Sequence, residues 1–275
     1  MISEITAIYA ISDDLLKAIG HTEDGRTQMS DAEVITTALV AARFFGGNHK
    51  QACDDLLEHG YMPGMLTPSR FSRRLHRLFL PLLDLFDCLG MILKSINPST
   101  EYLLDSFPIP ICDNIRIPRA RLVHSEDYRG YIASKKRYFY GIRVQLLGTR
   151  DGIPVEFAFL PGEANDTRGL KALPLNLPDG SSVYADAGYT DYQAEDALKE
   201  ADGISLQVMR KRNSQRPDAP WVAYIKQCTR HYIETVFSGI TSRFPKSIHA
   251  VTIDGFLLKV ATFIVAFTLE AAFIA

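Results

Sequence analysis

Three acidic residues, far apart in the chain, carry the chemistry that this sequence could perform. Asp105 closes the apolar start of Tyr-Leu-Leu-Asp-Ser-Phe-Pro, and Asp186 stands between Val-Tyr-Ala and Ala-Gly-Tyr. Glu234 lies in Arg-His-Tyr-Ile-Glu-Thr-Val-Phe, four residues after Arg230. Both aspartates fall at the carboxyl ends of expected strands, where mixed α/β sheets place their ligands. Such a set suits a hard divalent cation, Mg²⁺ with Mn²⁺ as its substitute, which takes a few carboxylates and fills its shell with waters and phosphate oxygens. Two such ions, about 4 Å apart, clamp the attacking and leaving oxygens of an in-line phosphoryl displacement. Water as nucleophile cuts a strand; a freed 3′-hydroxyl joins one to another. Each residue also has a plainer reading. An Asp after a strand commonly caps a turn, and Glu234 with Arg230 has the spacing of an ordinary helical ion pair, worth a few tenths of a kcal/mol. The joint occurrence, in this order on these elements, favours the metal site.

The elements that must position these residues come in two blocks. Residues 1–98 read as all-helical. Ser30-Asp-Ala-Glu33 is a capping box that opens a helix running to Phe45, and Gly46-Gly47 ends it. Residues 51–58 form a short helix. Pro68-Ser69 opens a longer one, with Phe71, Leu75, Leu78, Leu82, Leu85 and Leu89 at helical spacing, and Pro81 should kink or split it. Asn97-Pro98-Ser99 marks the expected boundary. Residues 99–275 then read as α/β, with a mixed five-stranded sheet flanked by helices. The strands are expected at 102–104, 138–147, 154–160, 182–185 and 204–209, the second and third joined by an Asp151-Gly152 hairpin turn. A helix over 221–240, its first turn suited to Pro220, carries Glu234 beside a stripe of Ile225, Tyr232, Val236 and Ile240. The last helix, 254–273, is strongly apolar. Only ten uncharged residues separate Lys259 from Glu270, whereas a spanning helix wants roughly 20, so a buried core helix is expected and no membrane partner.

The composition excludes a disordered chain, because 47% of the 275 residues are hydrophobic. A net charge of −2 argues against a nucleic-acid partner only if the charge is evenly spread, and it is not. Arg70, Arg73, Arg74 and Arg77 lie in a window without acids. So do Lys135, Lys136 and Arg137, and Arg210, Lys211 and Arg212 form a third cluster. These are candidate DNA phosphate contacts, with a solvated helix face or loop as the alternative. Trp221 could stack on an unpaired base, although packing is commoner for a lone Trp at a helix start. The four scattered cysteines have neither zinc-finger nor disulfide-framework spacing and fit reduced thiols in the cytoplasm.

The chain resembles the DDE transposases of bacterial insertion sequences. The resemblance rests on Leu-Leu-Asp105-Ser, Lys135-Lys-Arg-Tyr-Phe-Tyr-Gly141, Ala185-Asp-Ala-Gly-Tyr189 and Arg230-xxx-Glu234, and is most specific from Tyr102 to Phe237. It implies a ribonuclease-H-like core, with Asp105, Asp186 and Glu234 as catalytic and metal-binding residues and Arg230 as a DNA contact. It further implies a helical N-terminal region that binds element ends, double-stranded DNA as partner and target, and a homo-oligomer on DNA. Two other readings stay open: a ribonuclease-H-like nuclease that cuts without joining, and an inactive DNA-binding remnant.

Overall fold

A computed structural model of the protein describes residues 1–113, 122–123, 125–132 and 136–274. The chain forms two compact units, Met1–Leu89 together with Ser242–Ala275, and Gly90–Thr241. This division differs from the expected one at residue 98, because the last helix joins the N-terminal helices.

The first unit is built around α2 (Asp31–Phe44). Its start is the expected capping box: Ser30 Oγ accepts from Glu33 N at 3.1 Å, and Glu33 Oε2 accepts from Ser30 N at 2.6 Å. Every residue from Val34 to Ala42 is buried, as befits a helix apolar all round. Its neighbours are α1 (Ile2–Ala18), α3 (His49–Glu58), α4 (Pro68–Arg77) and α9 (Ile253–Leu269). The expected long helix after Pro68 is split. α4 ends at Arg77 and α5 (Phe79–Ile96) begins with Pro81 in its first turn, where a missing N–H costs nothing. Residues 253–274 are long and apolar enough to cross a membrane by length and composition alone, which is weak evidence of a span. Phe256, Val260, Ile264 and Leu269 are buried in this unit.

The second unit holds a mixed sheet of six strands, where the sequence predicted five. The strands are β1 (Glu101–Asp113), β2 (Arg129–Ile132), β3 (Arg137–Thr149), β4 (Pro154–Pro161), β5 (Ser182–Ala185) and β6 (Ser205–Val208). The sheet runs β2-β3-β1-β5-β6, with β4 also paired to β3. The additional strand, β2, pairs antiparallel with Arg137–Tyr140, and β4 takes over the same edge of β3 from Ile142. β1 pairs antiparallel with β3 but parallel with β5, and β5 parallel with β6. The β3–β4 hairpin turns at Gly152, whose φ of +85° suits glycine. Helices α6 (Asp166–Leu170) and α7 (Tyr192–Asp202) precede β5 and β6, and α8 (Pro220–Ser242) follows. Glu156 of β4 is buried. Its carboxylate accepts from Lys94 Nζ at 2.8 Å and from the backbone N–H groups of Leu175 and Asn176 at 2.9 and 3.0 Å, which fixes the segment leading to β5.

The candidate active site

Asp105 lies within β1 rather than at its end, one residue past the point where parallel pairing with β5 stops at Leu104 and Ala185. Asp186 is the first residue after β5. Because the two strands are neighbours in register, both aspartates emerge at the same end of the sheet. Asp105 Oδ1 accepts from Ser106 N at 2.7 Å, and Asp186 Oδ1 accepts from Ala187 N at 2.6 Å. Asp186 thus also caps the short turn 187–189, the plainer role foreseen for it.

A buried network sets this end of the sheet. Gln145 of β3 donates from Nε2 to the Tyr189 hydroxyl at 2.8 Å and to the Asp105 carbonyl at 3.2 Å. It ties the turn after Asp186 to β1. Asp166 reaches the same place from the first turn of α6. Its Oδ1 accepts from Ser106 Oγ at 3.0 Å, and Arg143 Nη1 lies 3.6 Å away. Gly188 is needed opposite it, since a Cβ there would sit 2.2 Å from Asp166 Oδ2. Asp166, Ser106, Arg143, Gln145 and Tyr189 are not among the catalytic or metal-binding candidates that the sequence offers. The one available signal was Gln145, polar within an apolar strand.

Burial pushes the Asp105 carboxyl up to about 7, and the nearby Asp166 and Asp186 push in the same direction, against Ser106 N and Arg230. Asp105 therefore stands in an environment short of positive charge.

α8 brings Arg230 and Glu234 to the site. Its buried side is Lys226, Ile233, Phe237 and Ile240, while Ile225 and Tyr232 of the expected stripe are exposed. The reason is Lys226, whose Nζ donates to the Val208 carbonyl at 3.1 Å and to Asp218 at 2.8 Å and so turns that edge inward. Phe237 packs edge-on against Phe107 of β1 at 6.3 Å between ring centroids. Arg230 Nη1 donates to Asp186 Oδ1 and its Nε to Glu234 Oε1, both at 3.2 Å. Glu234 stays 56% exposed. The structure thus brings Asp105, Asp166 and Asp186 together and sets Glu234 beyond Arg230. Among the described residues, no three His, Cys, Asp or Glu side chains stand ready around one metal position. The donor chemistry nonetheless fits a hard divalent ion. The oxygens are carboxylates, Asp105 is short of cationic neighbours, and the Arg230 guanidinium already occupies a cation's place between Asp186 and Glu234.

The basic candidates separate into two groups. Arg74 donates to Asp31 at 2.8 and 2.6 Å and is 18% exposed. Arg210 holds Glu195 through two bonds of 2.7 and 2.6 Å and is 11% exposed. Both are engaged by internal carboxylates. Arg70, Arg73, Arg77, Lys136, Arg137, Lys211 and Arg212 are exposed. Lys135 lies outside the described residues. Trp221 is 68% exposed, not packed as a lone Trp at a helix start usually is.

No curated protein and no solved structure matches the chain. A family model described as the transposase DDE domain matches residues 97–245, which include Asp105, Asp186, Arg230 and Glu234. The chain belongs to the DDE-domain transposases.

Proposed function

We propose that this transposase cuts and joins DNA at the ends of a bacterial insertion sequence, with Asp105, Asp186 and Glu234 as the carboxylates that hold divalent metal. The observation that carries the reading is Arg230 linking Asp186 to Glu234, with both Asp186 and Arg230 close enough to act on the Asp105 carboxyl. The strand order β4-β3-β1-β5-β6, antiparallel over the first three and parallel over the rest, supports a ribonuclease-H-like core.

Mg²⁺, or Mn²⁺ in its place, would supply Lewis-acid stabilisation of the phosphoryl oxygens and an activated nucleophile. The chain's own residues do the rest. Ser106 N and the Gln145–Tyr189 pair fix Asp105 and the turn behind Asp186. Lys226 anchors the start of α8, which presents Glu234. Arg230, relieved of its carboxylates once metal is held there, is placed to take a DNA phosphate. Arg70, Arg73, Arg77, Lys136, Arg137, Lys211 and Arg212 are the exposed cations for backbone contact, and the helices of residues 1–98 bind the element ends. Two DNA ends call for a homo-oligomer, and the work is cytoplasmic, without a membrane partner.

The test uses purified protein, Mg²⁺ or Mn²⁺, and a duplex carrying the flanking repeats. Wild type cuts it, and Asp186→Asn and Asp105→Asn lose at least a hundredfold. Cutting by Asp186→Asn at the wild-type rate rejects the site. Adding a target duplex with a pre-cut 3′-hydroxyl end separates joining from cutting alone.

A further inference from the structure

The first unit contains a cavity of about 370 Å³ lined by Gly46, Gly47, Asn48, His49, His249 and Lys259, among others. Its lining holds one cation, Lys259, and no acidic side chain. Lys259, from α9, donates its Nζ to the His249 carbonyl at 2.5 Å, and no carboxylate lies within ion-pair distance of it among the described residues. Burial lowers its pKa, as expected for an ammonium without an anionic partner. His49 packs edge-on against Phe71 at 5.7 Å. Burial first, then Lys259 and His76, push its pKa down to about 4, and no acid opposes them. At neutral pH its imidazole is uncharged and keeps one N–H to donate.

The backbone adds to this field. His49 is the first residue of α3, and Asn48 caps that helix by accepting from Gln51 N at 3.2 Å. The N–H groups of the first helical turn have no partner within the helix, and the dipole places partial positive charge there. Lys259, the His49 imidazole and the amino end of α3 thus line one open cavity large enough for a tetrahedral anion.

We infer that this cavity binds a phosphate group through Lys259, His49 and the amino end of α3. The source is either a DNA backbone phosphodiester or a small free phosphate. None of these residues belongs to the metal site. Only the DNA alternative rests on the proposed function.

The full chain, with its histidines isotopically labelled, is titrated with inorganic phosphate at pH 7 against chloride at equal ionic strength. The His49 ring resonances should shift saturably. Lys259→Gln, whose amide can still donate to the His249 carbonyl, should abolish the shift, and Lys259→Arg should keep it. In parallel, the salt dependence of duplex DNA binding is measured without divalent metal. A fall of about 0.9 in the log–log slope of Lys259→Gln identifies a backbone phosphate. An unchanged slope, with a phosphate shift present in the wild type and lost in Lys259→Gln, identifies a free anion. No saturable shift in the wild type, or one that survives in Lys259→Gln, overturns the site whatever the DNA result. A catalytically dead protein that still shows the shift separates this site from the fate of the carboxylates.

Discussion

Arg230 Nη1 lies 3.2 Å from Asp186 Oδ1, and the same guanidinium reaches Glu234 through Nε at 3.2 Å. The three side chains are between 41% and 56% exposed, so each pair is worth no more than about 1 kcal/mol. Together they oppose a metal ion that needs the same oxygens. Arg230→Gln is therefore expected to bind Mn²⁺ roughly fivefold more tightly in calorimetric titration without DNA, a factor that corresponds to about 1 kcal/mol. Weaker or unchanged metal binding would show that the guanidinium does not compete.

The raised pKa of Asp105 has a definite sign in stability. Its folded-state carboxyl holds a proton up to about pH 7, and the unfolded one only to about 3.8. Between those values the folded state binds more protons, so stability falls as pH rises and levels off above 7. In metal-free buffer, Asp105→Asn should thus gain on the wild type between pH 4 and pH 7, by a few kcal/mol at most. Urea midpoints at pH 5 and pH 8 check this, and equal differences at both would count against it. With metal present, deprotonation must precede binding, so apparent affinity should climb from pH 6 to pH 8.

Breaking the buried Lys94–Glu156 pair by Lys94→Met should cost about 3–5 kcal/mol, because Glu156 is left without its cation. The double variant Lys94→Met, Glu156→Gln should recover part of this by removing the buried charge, although the single amide oxygen can accept from only one of the Leu175 and Asn176 N–H groups. A single variant as stable as wild type in chemical denaturation would refute the assignment.

Arginines that share an acid-free window should part company in experiment. Arg70→Gln, Arg73→Gln and Arg77→Gln should each flatten the salt dependence of DNA binding by up to about 0.9, with stability unchanged. Arg74→Gln should instead lower the melting temperature, because the buried Asp31 loses its guanidinium and keeps only His21. The reverse pattern would mean that the exposed face of α4 does not touch DNA.

Tyr189→Phe leaves Gln145 Nε2 without one acceptor inside the protein, at a cost of about 1–3 kcal/mol. Thermal unfolding reads that cost. Cleavage should fall with metal half-saturation raised, since Asp105 and the Asp186 turn lose their tie. A loss of stability with unchanged metal dependence would make the network structural only.

The signals that sequence carries are local, and the candidate site is not. Asp105 and Asp186 could be picked out because each follows a short apolar run, and Glu234 because Arg230 precedes it by one helical turn. Asp166 could not, since its neighbour Ser106 lies 60 residues away and only the β1–β3–α6 arrangement joins them. The same limit explains Arg74 and Arg210. A window empty of acids says nothing of Asp31, 43 residues distant, or Glu195, 15 residues distant. β2 escaped notice because four residues, with Gly130 among them, carry little alternation. The stripe on α8 holds at Ile240 but lies one residue further on at its other three positions, because a buried Lys226 breaks the rule that charged residues face water.

Since α9 packs against α2, synthesis of the chain has a consequence. Residues 90–241 form one uninterrupted stretch and can close their sheet while later codons are still being read. The helical unit cannot, because its central helix awaits a companion made more than 200 positions later. A product terminated before Ile253 would leave the bare side of α2 exposed to proteases, so a late frameshift would act on a helix made long before it.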